Sequence, residues 1–156
     1  MMFLTEYSEI GLGEFNQEFF DSIDDNQYIK GPALGGEQYF HTILVDGLPA
    51  GIVGYLPPKN VSLADTGFVQ ILLKPEYRGR SLTGKIYDLL VERHELKTLY
   101  ATISENNQSS IKAHQKIGFH LLSTEKMADL RQRGLLDKDK FRLVDPRGFE
   151  PLTFRM

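Results

Sequence analysis

Leu72-Leu73-Lys74-Pro75-Glu76-Tyr77-Arg78-Gly79-Arg80-Ser81-Leu82-Thr83-Gly84-Lys85 joins an apolar run to an amphipathic one through a turn of small and basic residues. Upstream, Phe68, Val69, Ile71, Leu72 and Leu73 make Thr66 to Lys74 a buried strand, closed by Pro75. Downstream, Leu82, Ile86, Leu89 and Leu90 share one face and predict a helix from about Ser81 to Arg93. A strand-to-helix turn of this kind offers unpaired backbone N–H groups and the positive end of a helix dipole to one spot, where a phosphate or diphosphate fits. Gly79 and Gly84 let the backbone come close, Ser81 and Thr83 offer hydroxyls, and Arg78 and Arg80 add charge. The spacing is neither that of a Walker loop nor that of the dinucleotide fingerprint. A capped surface helix with a basic first turn reads equally well from these residues alone.

On the N-terminal side, Leu12, Phe15, Phe19, Phe20 and Ile23 recur at helical spacing and predict a first helix over Leu12 to Ile23. Its aromatic stripe reads as core, given the preference of Phe for the interior. Asp24-Asp25-Asn26 stops it, and Gly31-Pro32 with Gly35-Gly36 marks a loop. Tyr39 to Val45 reads as a strand, Asp46-Gly47 as a hairpin turn, and Leu48 to Tyr55 as the return strand. Beyond the central helix, Leu99 to Ile103 is a short strand. A helix follows from Ser109 to Ile117, capped by Asn107 and stopped by a left-handed Gly118. Phe119 to Ser123 starts another strand, Met127 to Leu135 a short helix, and Lys140 to Val144 the last strand. This order makes an α+β or α/β domain around a mixed sheet.

The chain has 156 residues, 41% apolar and 25% charged, which suits one compact globular domain, read here as residues 1–144 with 145–156 as a tail. A net charge of −3 and a pI near 5.8 argue against nucleic-acid or anionic-membrane binding as the main activity. The densest basic cluster, Lys138 to Arg142, is interrupted by Asp139 and reads as solvated surface. Without cysteine there is no disulfide, thiolate metal site or cysteine nucleophile. The start lacks the regions of a signal peptide, and no apolar run approaches the ~20 residues of a membrane span, so the expected location is cytoplasmic. His41, His94 and His120 show no metal-ligand spacing; His94 closes a helix, where a cation is favoured.

Pro75-x-x-Arg78-Gly79-x-Ser81-x-Thr83 resembles the acetyl-CoA diphosphate loop of the GNAT superfamily of acyl-CoA-dependent N-acetyltransferases. Asn107-Gln108-Ser109-Ser110-Ile111-Lys112-Ala113-His114-Gln115-Lys116-Ile117-Gly118-Phe119 resembles the second family motif, an Asn before a helix that ends in Gly-Phe. The resemblance covers roughly Tyr39 to Val144. It departs from the family at Ser81 and Thr83, which stand where the loop motif has Gly and Gly or Ala.

The resemblance implies a three-layer, mostly antiparallel sheet of about six to seven strands flanked by helices, with central strands splayed between Leu73 and Thr102-Ile103. It implies transfer of an acetyl group from acetyl-CoA to a primary amine by direct attack in a ternary complex, without a metal. Backbone groups of Ile71, Leu72 and Leu73 then bind the pantetheine arm, one N–H acting as an oxyanion donor. The segment Arg78, Gly79, Arg80, Ser81, Leu82, Thr83 and Gly84 holds the diphosphate. Asn107 and Ser110 contact the cofactor arm, although helix capping explains Asn107 equally well. His114 stands where family members often carry a tyrosine that protonates the departing CoA thiolate; a structural histidine is the rival reading. Asp65 and Glu105 are base candidates by position, each also readable as an exposed loop carboxylate, and a water relay needs neither. Gln70 cannot be a base but can orient substrate. A homodimer is allowed, not required.

Two rival functions stand beside this one: a CoA-binding relative without catalysis, and an unrelated α/β phosphate-binding protein. The tail from Asp145 to Met156 departs from the domain pattern. Its Gly148-Phe149-Glu150-Pro151 resembles the peptide encoded antisense through a tRNA gene, which makes it a read-through extension; a docking segment using Phe149, Leu152 and Phe154 is the alternative.

Overall fold

The computed structural model of the protein describes residues 8–24, 28–58 and 65–147. Seven strands form one open mixed sheet in the order β1-β2-β3-β4-β5-β7-β6, and four helices flank it. The strands are β1 (Ile10–Glu14), β2 (Phe40–Val45), β3 (Leu48–Leu56), β4 (Thr66–Leu73), β5 (Thr98–Ser104), β6 (His120–Leu121) and β7 (Lys140–Asp145). The helices are α1 (Gln17–Ile23), α2 (Thr83–His94), α3 (Gln108–Lys116) and α4 (Thr124–Gln132). Contacts divide the chain into two compact units, residues 1–56 with 70–95 and residues 57–69 with 96–156, so that β4 contributes to both.

In the first unit β1, β2 and β3 form an antiparallel meander. Asp46 and Gly47, at φ 50° and 82°, make the hairpin turn that the Asp-Gly pair predicts. Alternation along β2 sends Phe40 and Thr42 to one face and His41 and Ile43 to the other. Phe40 and Ile52 pack under α1 with Phe20 and Ile29, joined by Phe15, Phe19 and Ile23, so the aromatic stripe is core. The face carrying His41 packs against α2. Gly31 and Gly54 flank the Phe40 ring, and a Cβ on either would overlap it.

One expected element differs. Residues 12–14 belong to β1, and the first helix starts only at Gln17. Gly11 and Gly13 disfavour a helix there, and the Asn16 side chain accepts the Phe19 N–H at 2.8 Å, capping the helix below the expected start.

In the second unit, β4 and β5 pair in parallel from Thr66↔Thr98 to Phe68↔Tyr100, where the ladder ends. β5 continues antiparallel to β7, and β6 pairs with β7. Leu99, Ala101, Ile103, Leu143 and Asp145 are buried on one face, with Ile111, His114 and Phe119 of the α3 segment. Phe68, Tyr100 and Arg142 lie on the other face, beside α4. Gly118 ends α3 with φ 116°. The strand expected over Phe119 to Ser123 shortens to two residues because Ser123 caps α4, its hydroxyl accepting the Lys126 N–H at 3.1 Å. β7 takes in Asp145, one residue beyond its expected end, and Arg147 ion-pairs with that buried carboxylate at 2.7 Å. The Gly148-Phe149-Glu150-Pro151 peptide and the rest of the tail lie outside the described residues.

Candidate active site

β4 leaves the first unit's sheet at Leu73, with the Lys74 N–H on the Ala50 carbonyl at 2.8 Å. Gly51 sits against the Leu72 carbonyl so closely that a Cβ would collide with it. A 3₁₀ turn, Pro75–Tyr77, buries the Tyr77 ring, and residues 78–81 after it are exposed. Gly79 (φ 70°) and Ser81 (φ 59°) both take left-handed backbone, and nothing crowds Gly79. Leu82 tucks into the core as the residue before α2, and no side chain caps that helix. Thr83 and Gly84 therefore open α2 with backbone N–H groups that no side-chain cap among the described residues satisfies. This is a strand-to-helix turn with left-handed backbone at two positions, a geometry whose chemistry is compatible with a diphosphate.

Within that corner the two arginines part ways. Arg78 folds back and donates through Nε to the Leu73 carbonyl at 2.9 Å, clamping the end of β4. Arg80 is exposed. Ile71, Leu72 and Leu73 are half-buried on the same strand. Gln70, one residue earlier, holds a buried side-chain oxygen with no hydrogen-bond partner among the described residues.

The second unit carries the other motif. Asn107 Oδ1 accepts from the Ser110 N–H at 3.2 Å and the Ser109 hydroxyl at 3.1 Å, which makes it the N-cap of α3. His114 is buried, its Nδ1–H donating to the Ser110 carbonyl at 2.8 Å and its ring edge-on to Phe119. Burial lowers its pKa below the usual histidine value, against the opposing pull of the Ser110 carbonyl, so the neutral ring dominates at pH 7. Asn107, Ser110 and His114 thus lie together along α3.

The base candidates do not meet. The Asp65 carbonyl receives the Lys97 and Thr98 N–H groups at the start of β5, whereas Glu105 follows its end. Seven residues of strand separate them, about 23 Å at 3.3 Å per residue. Both are exposed.

Two groupings have no trace in the spacing of the sequence. His41 on β2 and His94 at the end of α2 meet with their Nε2 atoms 2.7 Å apart, the His94 ring packed on Tyr55. A backbone hydrogen bond with Gly13 also engages the His41 ring, and across the pair one Nε2 donates while the other accepts. Burial and His94 lower the His41 pKa to about 4, and burial and Arg93 lower that of His94. His94 closes α2 as expected, with Arg93 beside it in the last turn. Arg142, expected on a solvated surface, is half-buried over the Phe68 ring. Among the described residues no group of three metal-ligating side chains gathers, and no helix is long and apolar enough to cross a membrane.

The acetyltransferase (GNAT) family model matches residues 2–119. No protein of curated function matches the chain by sequence. Among solved structures, a Bacillus subtilis acetyltransferase in complex with CoA is 17% identical, with 89% of this chain and 98% of that one covered and a TM-score of 0.62. The Campylobacter jejuni N-acetyltransferase PseH in complex with acetyl coenzyme A is 16% identical over 89% and 99%, with a TM-score of 0.61. A variant of the Vibrio cholerae spermidine N-acetyltransferase SpeG is 15% identical over 94% and 97%, with a TM-score of 0.64. At such identities these likenesses speak for the fold, while the family model spans well over half of the chain. The strand, the uncapped turn, the helix and the Asn-capped second helix are thus the frame of a known family, and the chain belongs to the GNAT acetyltransferases.

Proposed function

We propose that the protein transfers an acetyl group from acetyl-CoA to a primary amine by direct attack in a ternary complex. The observation that supports this most is the uncapped start of α2 behind two left-handed residues, Gly79 and Ser81, in the segment that resembles the family's diphosphate loop. Amides from Gly79 to Gly84 hold the diphosphate, with Arg80 adding charge; Arg78 contributes by fixing the exit of β4. Backbone groups of Ile71, Leu72 and Leu73 bind the pantetheine arm, and one N–H polarises the thioester carbonyl. Acetyl-CoA supplies the acyl group as a thioester. The Gln70 side-chain oxygen, an acceptor without a donor among the described residues, orients the attacking N–H. Asn107 and Ser110 steady the cofactor arm from α3.

His114 is proposed as the donor of the proton that the departing thiolate takes up. Because burial lowers its pKa, the protonated, donating form is confined to the acid side. On this assignment kcat falls as pH rises through a value below 6.5, and His114→Gln removes that limb. A structural histidine would leave the pH profile intact. Of the two carboxylates, Glu105 follows the same strand that leads into α3 and is the proposed base, with Asp65 the weaker choice. The compartment proposed is the cytoplasm.

The test is CoA thiol release from acetyl-CoA across a panel of primary amines, alongside calorimetric titration of CoA. Turnover on an amine together with CoA binding supports the reading. Binding without turnover on any amine points instead to a CoA-binding relative without catalysis, for which the Ser81 and Thr83 side chains in the loop speak. Preference for free nucleotides over CoA would overturn both.

A further inference from the structure

Beside α4, in the second unit, a cavity of about 470 Å³ opens on the sheet face away from α3. Its volume is that of a small-molecule site. Phe68 and Tyr100, neighbours across the parallel ladder, form its floor as a stacked pair, ring centroids 5.2 Å apart and planes 21° apart. Leu122 and Leu130 supply apolar walls. Into this lining projects Arg142, its guanidinium 5.1 Å from the centre of the Phe68 ring.

We propose that this cavity binds a small organic acid, a carboxylate carried on a flat apolar body, with Arg142 as the anion receptor. Arg142 is held in place from below: Nε donates to Thr102 Oγ1 at 2.9 Å and one terminal nitrogen to the Leu135 carbonyl at 3.2 Å. Both partners are neutral, and among the described residues no carboxylate pairs with the guanidinium. Its Nη1 has no hydrogen bond there. Burial lowers its pKa, but a guanidinium stays protonated in any protein setting, so a half-buried cation stands in the lining with no ionic partner among the described residues. A half-buried guanidinium with no carboxylate beside it offers a fork to an anion that enters the cavity.

The charges around the opening do not fill that role. Asp129 is taken by Arg133 at 3.3 Å, and Glu125 and Lys126 are exposed and of opposite sign. What remains without an opposite charge among the described residues is Arg142, above the Phe68 ring. A carboxylate suits its planar fork, and a flat apolar body suits the stacked floor; a bare inorganic anion would leave the apolar walls facing water. The shared chemistry can come from a free aryl acid or from an aromatic amino acid, whose ammonium would lie toward Glu125.

Binding requires no acetyl-CoA, so the test stands apart from the transferase reading. The full chain without acetyl-CoA is titrated by calorimetry with 3-phenylpropionate, its neutral amide 3-phenylpropanamide, and phenylalanine. The acid is expected to bind at least about 10-fold more tightly than the amide, the worth of one charge-assisted hydrogen bond. Arg142→Met is expected to lose that preference. Phenylalanine binding more tightly than phenylpropionate identifies the amino acid as the source, and weaker binding the free acid. Equal affinity for acid and amide, an unchanged preference in Arg142→Met, or no saturable binding of the acid up to about 10 mM would overturn the proposal. Should Arg142→Met fail to fold, the comparison of acid and amide on the unaltered chain still decides.

Discussion

At position 81 a serine holds a backbone conformation that glycine adopts freely, φ 59° in the turn before α2. A left-handed residue with a Cβ costs about 1–2 kcal/mol. Ser81→Gly should therefore raise stability by up to about 1 kcal/mol, part of the gain being lost to the freer unfolded chain, and it should leave CoA binding intact or tighter. Chemical denaturation and CoA titration of the variant measure both. Loss of CoA binding in Ser81→Gly would mean that the hydroxyl itself contacts the ligand. Gly54 presents the opposite case. Its missing side chain makes room for the Phe40 ring and the Tyr39 carbonyl, so Gly54→Ala should destabilise the first unit by about 1–3 kcal/mol through overpacking. A denaturation midpoint unchanged by Gly54→Ala would show that Phe40 can move aside. The family resemblance made residue 81 legible, since it stands where the loop motif carries glycine. Gly54 was not, because the need for space arises from a ring fourteen residues earlier that only strand pairing brings near.

Elements were read best where one local rule decides them. The Asp46-Gly47 hairpin, the Pro75 stop, the Asn107 cap and Gly118 all act within a few residues of themselves, and each falls where the sequence puts it. Asn107→Ala should cost about 1 kcal/mol by releasing the Ser110 N–H, a loss visible in thermal melting. The start of the first helix was misread because Leu12 and Phe15 fit the helical period as well as they fit an edge strand followed by a cap. Tertiary pairing with β2 settles Leu12 onto β1. The candidate site was legible as far as its backbone: a strand, a turn and two helix starts. The hold of Arg78 on the Leu73 carbonyl and the empty acceptor on Gln70 depend on side-chain directions that no spacing encodes. The same is true of His41 and His94, which lie 53 residues apart in sequence.

For the protein taken as one cooperative unit, that histidine contact makes stability depend on pH. Unfolded histidines titrate near 6.5, whereas the folded chain holds His41 at about 4 and His94 below its usual value. As pH falls, the unfolded state takes up protons first. The stabilisation is complete above about pH 6.5 and is lost as pH drops towards about 4. His94→Gln, whose amide can still donate to His41, should flatten the dependence of the urea midpoint on pH between these limits. An unaltered slope would place the titration elsewhere. At the other end of the chain, Asp145 is 2% exposed and Arg147, two residues on, neutralises it. A truncation must then end no earlier than Arg147. A stop codon placed one or two residues sooner strands a carboxylate in the interior, a loss of about 3–5 kcal/mol that would surface as poor expression and not as altered chemistry.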